Sequence, residues 1–143
     1  MKRFIGMILI LGAAIACGCS EKQQLHGTVT FADDGAPVPV GAVYFSTPTF
    51  EAVGAIKKDG TYIVSSTGHN DGIPKGETYK VSVVGADIVE NTTSAGGSAG
   101  GSKRTPLVDP KYRNKDTSGL TFTADGTRRF DLTLERAKPG NKK

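Results

Sequence analysis

The strongest constraint on the fold is a two-residue rhythm of apolar side chains, repeated in short runs that glycine and proline separate. Leu25-His26-Gly27-Thr28-Val29-Thr30-Phe31 places Leu25, Gly27, Val29 and Phe31 on one side. Thr78-Tyr79-Lys80-Val81-Ser82-Val83-Val84 does the same with Tyr79, Val81 and Val83. Period two in residues rich in Val, Thr and aromatics specifies a strand with one buried face. The 19 glycines and 7 prolines among 143 residues supply the turns. No segment past the N-terminus approaches the roughly 18 apolar residues of a spanning helix.

Read in order, the runs predict seven or so short strands. Asp33-Asp34-Gly35-Ala36-Pro37 turns the chain after the first, leaving Val38 and Val40 near a sheet edge, because prolines cannot sit in a central ladder. Ala42-Val43-Tyr44-Phe45-Ser46 is the second strand. Residues 52–56 and 61–65 flank Lys57-Lys58-Asp59-Gly60, the clearest hairpin signal in the chain. Ile73-Pro74-Lys75-Gly76 is a further turn. Residues 91–104, rich in Gly and Ser with no large apolar side chain at their centre, predict a flexible loop. Pro106-Leu107-Val108-Asp109-Pro110-Lys111-Tyr112 reads as an extended segment followed by one helical turn. Leu120-Thr121-Phe122-Thr123 and residues 129–134 form the last strand pair, joined around Asp125-Gly126. Residues 137–143 are expected to form a disordered basic tail. The expected architecture is all-β: a seven-stranded antiparallel Greek-key sandwich over residues 25–136. Cysteine is absent after position 19, so apolar burial rather than disulfides must stabilise it.

The first twenty residues carry a different signal. Met1-Lys2-Arg3 precedes an uncharged apolar run over 4–16, then Cys17-Gly18-Cys19-Ser20. A basic start, a short apolar stretch and small residues are the layout of a secretory signal peptide. The stretch resembles a bacterial lipoprotein signal over 1–18, in which a cysteine is acylated and begins the mature chain. Cys19, between Gly18 and Ser20, is the expected attachment site, with Cys17 as the alternative. In the sorting pattern this resembles, a residue other than Asp after that cysteine points to the outer membrane. Residues 19–24 then form a tether, about 17 Å long if five residues are extended.

Without the signal, the chain carries a net charge of +2, unevenly spread. Residues 20–102 hold 5 basic and 9 acidic side chains, whereas 103–143 hold 11 and 5. An exported chain of such modest charge is a poor candidate for nucleic acid. The basic surplus reads as a solvated face and tail, the alternative being adhesion to anionic headgroups or polysaccharide.

The order Gly27-Thr28-Val29, Asp34-Gly35-Ala36-Pro37-Val38, Gly41-Ala42-Val43-Tyr44-Phe45, Lys58-Asp59-Gly60-Thr61-Tyr62 and Ile73-Pro74-Lys75-Gly76-Glu77-Thr78-Tyr79-Lys80-Val81 resembles the carboxypeptidase regulatory-like, or transthyretin-like, β-sandwich domain. The likeness is to its small bacterial lipoprotein versions of planctomycete type, and it covers residues 25–135. It implies a prealbumin-like, accessory domain with no catalytic residues and no cofactor. Its expected role is to bind or scaffold another envelope protein or polysaccharide, with membrane lipid held through the N-terminal anchor. The enzymatic branch, hydroxyisourate hydrolase, ends in Tyr-Arg-Gly-Ser; here Arg136-Ala137-Lys138-Pro139-Gly140 stands instead.

Individual residues suggest little chemistry. His26 and His69, with no cysteine beyond Cys19, do not make a zinc spacing. Asp33-Asp34 and Asn70-Asp71-Gly72 offer oxygen ligands without the Asp-x-Asp-x-Asp-Gly pattern, so turn chemistry is expected and no metal. No Gly-x-Ser-x-Gly elbow occurs, and Gly96-Gly97 and Gly100-Gly101 lack the Lys-Ser or Lys-Thr of a phosphate loop. Asn91-Thr92-Thr93 matches a glycosylation sequon. Tyr44, Tyr62, Tyr79 and Tyr112 either anchor the sandwich or stack on sugars, the basis of a carbohydrate-binding alternative that requires coplanar exposed rings.

Overall fold

The computed structural model describes residues 21–68, 71–91 and 102–138. Cys17 and Cys19, the signal over 1–18, His69, Asn70, Thr92, Thr93, the glycine pairs at 96–97 and 100–101 and the last five residues lie outside them.

The described chain is all-β. Eleven strands run in order: β1 (Lys22–Gln23), β2 (His26–Phe31), β3 (Ala42–Ser46), β4 (Glu51–Ala55), β5 (Thr61–Ile63), β6 (Ile73–Pro74), β7 (Thr78–Val84), β8 (Asp87–Asn91), β9 (Ser102–Pro106), β10 (Leu120–Thr123) and β11 (Leu132–Leu134). A 3-10 turn, Pro110–Arg113, is the only helical element among them. Two sheets carry most of the strands. One has the order β10-β7-β3-β4, the other β11-β2-β5, and the ribbons β1-β6 and β8-β9 stand apart.

The predicted inward faces are the buried ones. Leu25, Val29 and Phe31 of the first run, Tyr79, Val81 and Val83 of the run at 78–84, and Leu132 and Leu134 of the last join one core, together with Val43 and Phe45 of the second run, whose inward face the sequence left open. Phe45 sits at its centre, with ring centroids 6.3 Å from Tyr62, 5.9 Å from Phe122 and 6.2 Å from Phe130. Residues of both sheets thus meet across a single apolar layer, the arrangement that removes the inner face of each from water.

Pairing differs from the sequence expectation in four places. First, the sheet is not wholly antiparallel: β11 pairs parallel with β2, Leu132 opposite Val29 and Leu134 opposite Phe31. Second, β10 and β11 do not pair with each other, because β10 lies on β7. The Asp125-Gly126 turn is a corner that carries the chain between sheets. Gln23 holds that corner: its side-chain NH₂ donates to the Thr127 carbonyl (2.9 Å), and its amide oxygen accepts from Gly126 N–H (2.9 Å). A buried glutamine 103 residues away is a link no local pattern announces.

Third, the Asp59-Gly60 turn forms, but its arms part. Gly60 N–H donates to Lys57 O (2.8 Å), Lys57 N–H to Thr61 O (2.9 Å), and Val53 and Ser65 exchange both backbone bonds (2.9 Å each). Between those points Tyr62 turns its ring against Gly54, where a Cβ would come within 2.8 Å of Cδ2. The arms then feed β4 into one sheet and β5 into the other.

Fourth, two segments expected to be irregular are partly ordered. The tether over 19–24 overlaps β1, with Lys22 opposite Pro74 and Gln23 opposite Ile73, and Leu25 is buried. The loop over 91–104 is shorter than expected, since β8 and β9 pair out to Asn91 opposite Ser102. The extended segment before the helical turn is as expected: Asp109 caps the turn by accepting from Lys111 N–H (3.0 Å), and Tyr112 is buried.

These pairings give the domain two poles. Strand β1, the 125–126 corner and the start of β7 lie at the pole where the described chain begins. The end of β2, Arg136 and the base of the β8–β9 ribbon lie at the other, since Leu107 N–H donates to Ala86 O and Arg136 reaches Asp33.

Candidate functional site

Most of the polar residues singled out in the sequence are engaged in building turns. Asp33 and Asp34 both accept from the Arg136 guanidinium, at 2.6 and 2.7 Å, while that group lies 3.6 Å over the Phe31 ring. Asp34 also accepts from Ala36 N–H (2.9 Å), and that bond, with Arg136, holds its carboxyl below the ordinary aspartate range. Asp71 accepts from Lys22 Nζ, Ser66 N–H, Ser66 Oγ and Thr67 Oγ1, each at 2.7 Å. The Lys22 contact first, then the Ser66 and Thr67 donors, hold its carboxyl far below the usual carboxylate range. Among the described residues no three His, Cys, Asp or Glu side chains converge as metal ligands.

A pH dependence follows. Asp34, Asp59, Asp71, Asp116, Asp125 and Asp131 all have depressed folded-state pKa values. The stabilisation they contribute is complete above the unfolded value of about 3.9 and is lost as pH falls below it toward the folded values. The melting temperature, followed by circular dichroism, is therefore expected to be flat from neutrality to about pH 5 and to fall steadily below about pH 4. Asp71→Asn is expected to reduce that acid slope. An unchanged profile would remove Asp71 as a contributor.

Part of the basic surplus of the C-terminal part is neutralised in place. Lys111 pairs with Glu135 (2.9 Å), Arg129 with Asp131 (2.8 Å), Arg113 with Asp87, and Arg136 with Asp33 and Asp34. Lys103, Arg104, Lys115, Arg128 and Lys138 have no ion-pair partner among the described residues; Lys103 and Arg104 are neighbours on β9, and the other three lie outside it. The tyrosines are mostly structural. Tyr62, Tyr79 and Tyr112 are buried, and Tyr44 is half-buried. The Tyr62 hydroxyl donates to Phe130 O (2.6 Å) and burial pushes its pKa up. The Tyr79 hydroxyl donates to Pro74 O (2.9 Å), and burial raises its pKa to about 12. The expected coplanar platform of exposed rings is therefore not formed by these four residues.

Two clefts of about 390 Å³ remain on the described surface. One lies beside β2 and β5, where exposed His26 meets Thr28, Lys57, Ile63 and Arg129. The other crosses the outer face of the four-stranded sheet. Its floor is Tyr44 and Ser46 of β3 with Ser82 and Val84 of β7; Glu51 forms one wall and residues 113–115 the other. A smaller recess of about 180 Å³, holding Thr78 and Lys80, continues it past Ser46 and Lys115. The second wall is held down by the ion pairs Lys80–Asp116 (2.6 Å) and Arg113–Asp87, and by Ser118 Oγ donating to Val81 O (2.5 Å).

This outer cleft is what sequence reading missed. Ser82 occupies an outward position in an alternating strand, where serine signals only solvent. The 113–116 segment, 31 residues or more further along, folds over it and leaves it 6% exposed. No protein-family model, curated protein or solved structure matches the chain.

Proposed function

We propose that the chain is a lipid-anchored, non-catalytic protein of the cell envelope, acylated at Cys19, with Cys17 as the alternative, and sorted to the outer membrane. Its domain is read as a prealbumin-like Greek-key sandwich of the carboxypeptidase regulatory-like kind, which binds or scaffolds another envelope component. The four strands of one sheet and three of the other, meeting in one core, support the sandwich reading.

The observation that carries the anchor reading is the basic start, short apolar run and Cys17-Gly18-Cys19-Ser20 of the first twenty residues, and the spacing to β1 sets how close the domain would sit to a bilayer. Pairing begins at Lys22, so three peptide steps, about 10 Å when extended, separate the cysteine from the domain. An acyl group there would hold the N-terminal pole against the bilayer and direct the β8–β9 ribbon away from it. Several acyl chains bind stably where one does not, because each buried CH₂ contributes about 0.8 kcal/mol.

Metabolic labelling with a palmitate analogue tests the anchor in the wild type, Cys17→Ser and Cys19→Ser. Label is expected in the wild type and Cys17→Ser and to be lost in Cys19→Ser. The reverse pattern transfers the attachment to Cys17, and an unlabelled wild type overturns the anchor.

A further inference from the structure

We propose that the outer cleft of the four-stranded sheet is a binding site for a short saccharide bearing a carboxylate, a uronic-acid-type sugar. The inference rests on the reading of this domain as an envelope-binding module and names the ligand class of its cleft. Ser82 is the observation that points to a ligand. Its side chain is more than nine-tenths buried and lines the cleft, and its Oγ has no hydrogen-bond partner among the described residues. No fully enclosed polar atom of the described side chains lacks a partner, so this hydroxyl keeps surface open to the cleft, where a ligand can reach it. The Tyr44 hydroxyl beside it is also without a partner there, although Tyr44 and Ser82 stand directly opposite in the ladder.

The remaining polar groups define what fits. Among the described residues exposed Lys115 makes no ion pair, and the Asn114 side chain uses only its oxygen, which accepts from Asp116 N–H (2.9 Å). That wall therefore presents an ammonium and an amide NH₂, donors suited to a carboxylate. Across the floor, Glu51 accepts from Ser46 Oγ (3.2 Å) through one oxygen and keeps the other for a hydroxyl. From β4 over β3 to β7 the cleft crosses two strand spacings, about 10 Å, the breadth of a sugar unit rather than a polymer platform. The Tyr44 ring and Val84 offer an apolar patch to the C–H face of such a ring.

A peptide strand fits less well. Strand β3 pairs on both sides, with β4 and with β7, so the floor has no free backbone donors or acceptors to extend a ladder. Recognition must come from side chains, and these alternate hydroxyl, carboxylate and ammonium.

The test is a titration of the purified full chain, followed by amide chemical shifts. The probes are a digalacturonate, its uncharged methyl ester and free alanine as a zwitterion without hydroxyls. Digalacturonate is expected to bind at millimolar concentration, with shifts gathered on β3, β7 and residues 113–115. Lys115→Met and Ser82→Ala are each expected to weaken it about tenfold, the scale of one lost hydrogen bond to a charged group. Lys115→Met removes a solvent-exposed side chain and keeps the fold, so the test does not depend on the buried serine variant. The ester is expected to bind about tenfold more weakly. Absence of localised shifts, equal binding of the ester, or equal binding of alanine each overturns the proposal. Because the palmitate experiment reads only Cys17 and Cys19, a failed titration with a labelled wild type removes the ligand class and leaves the anchor standing.

Discussion

Gly27→Ala is expected to destabilise the domain by about 3–5 kcal/mol, a large fraction of the stability of a single domain. The cause is room, not backbone freedom, since Gly27 lies in β2 with ordinary strand geometry. A Cβ there would stand 1.8 Å from Phe130 O, 2.7 Å from Phe130 C and 3.0 Å from Tyr62 Cε1. Phe130 O is also the acceptor of the Tyr62 hydroxyl, and Phe130 N–H donates to His26 O (2.9 Å). Accommodating one methyl group therefore displaces the segment leading into β11 and leaves a buried tyrosine hydroxyl unpaired. Gly76→Ala is the control. Gly76 has a φ of +87° with nothing within 4 Å of its added Cβ, so only the left-handed backbone is strained, at about 1–2 kcal/mol. Urea denaturation of the two variants should separate them clearly. Equal stabilities would mean that the Phe130 segment leading into β11 does not pass Gly27 as described.

Phe45→Ala is expected to cost about 3–5 kcal/mol, the usual penalty for emptying a fully buried aromatic site. Phe45 is fully buried, and its ring touches Tyr62 of the three-stranded sheet, Phe122 of the four-stranded sheet and Phe130 between them. The cavity would open where the sheets meet, and strands pinned by hydrogen bonds on both sides of β3 cannot collapse into it. Tyr62→Phe keeps the ring and removes only the bond to Phe130 O, so about 1 kcal/mol is expected there. The midpoint of denaturant unfolding measures both. A Phe45→Ala loss no larger than that of Tyr62→Phe would place the core elsewhere.

How much of this was legible in the chain depended on distance along it. The inward residues of β2, β7 and β11 followed from alternation alone, because side chains of successive strand residues point to opposite faces. The Asp59-Gly60 turn and the turn at Pro110–Arg113 followed from local geometry that glycine and proline allow. Asp33 and Asp34 were correctly read as turn residues, but the guanidinium that saturates them lies 102 and 103 residues away. Three of the four tyrosines proved to be interior anchors, a choice a strand residue makes only when a second layer covers it.

The residues by themselves determined most strands of the two main sheets and the apolar face of β2, β7 and β11, since these depend on interactions within a few positions, but not the short ribbons β1-β6 and β8-β9. Tertiary structure alone decided that β11 runs parallel to β2, that Gln23 ties down the 125–126 corner, and that the 113–116 segment roofs Ser82 into a cleft. Those features arise from pairings across the sheet and between sheets, where apolar burial is equally served by several strand orders and only the close-packed one admits every side chain.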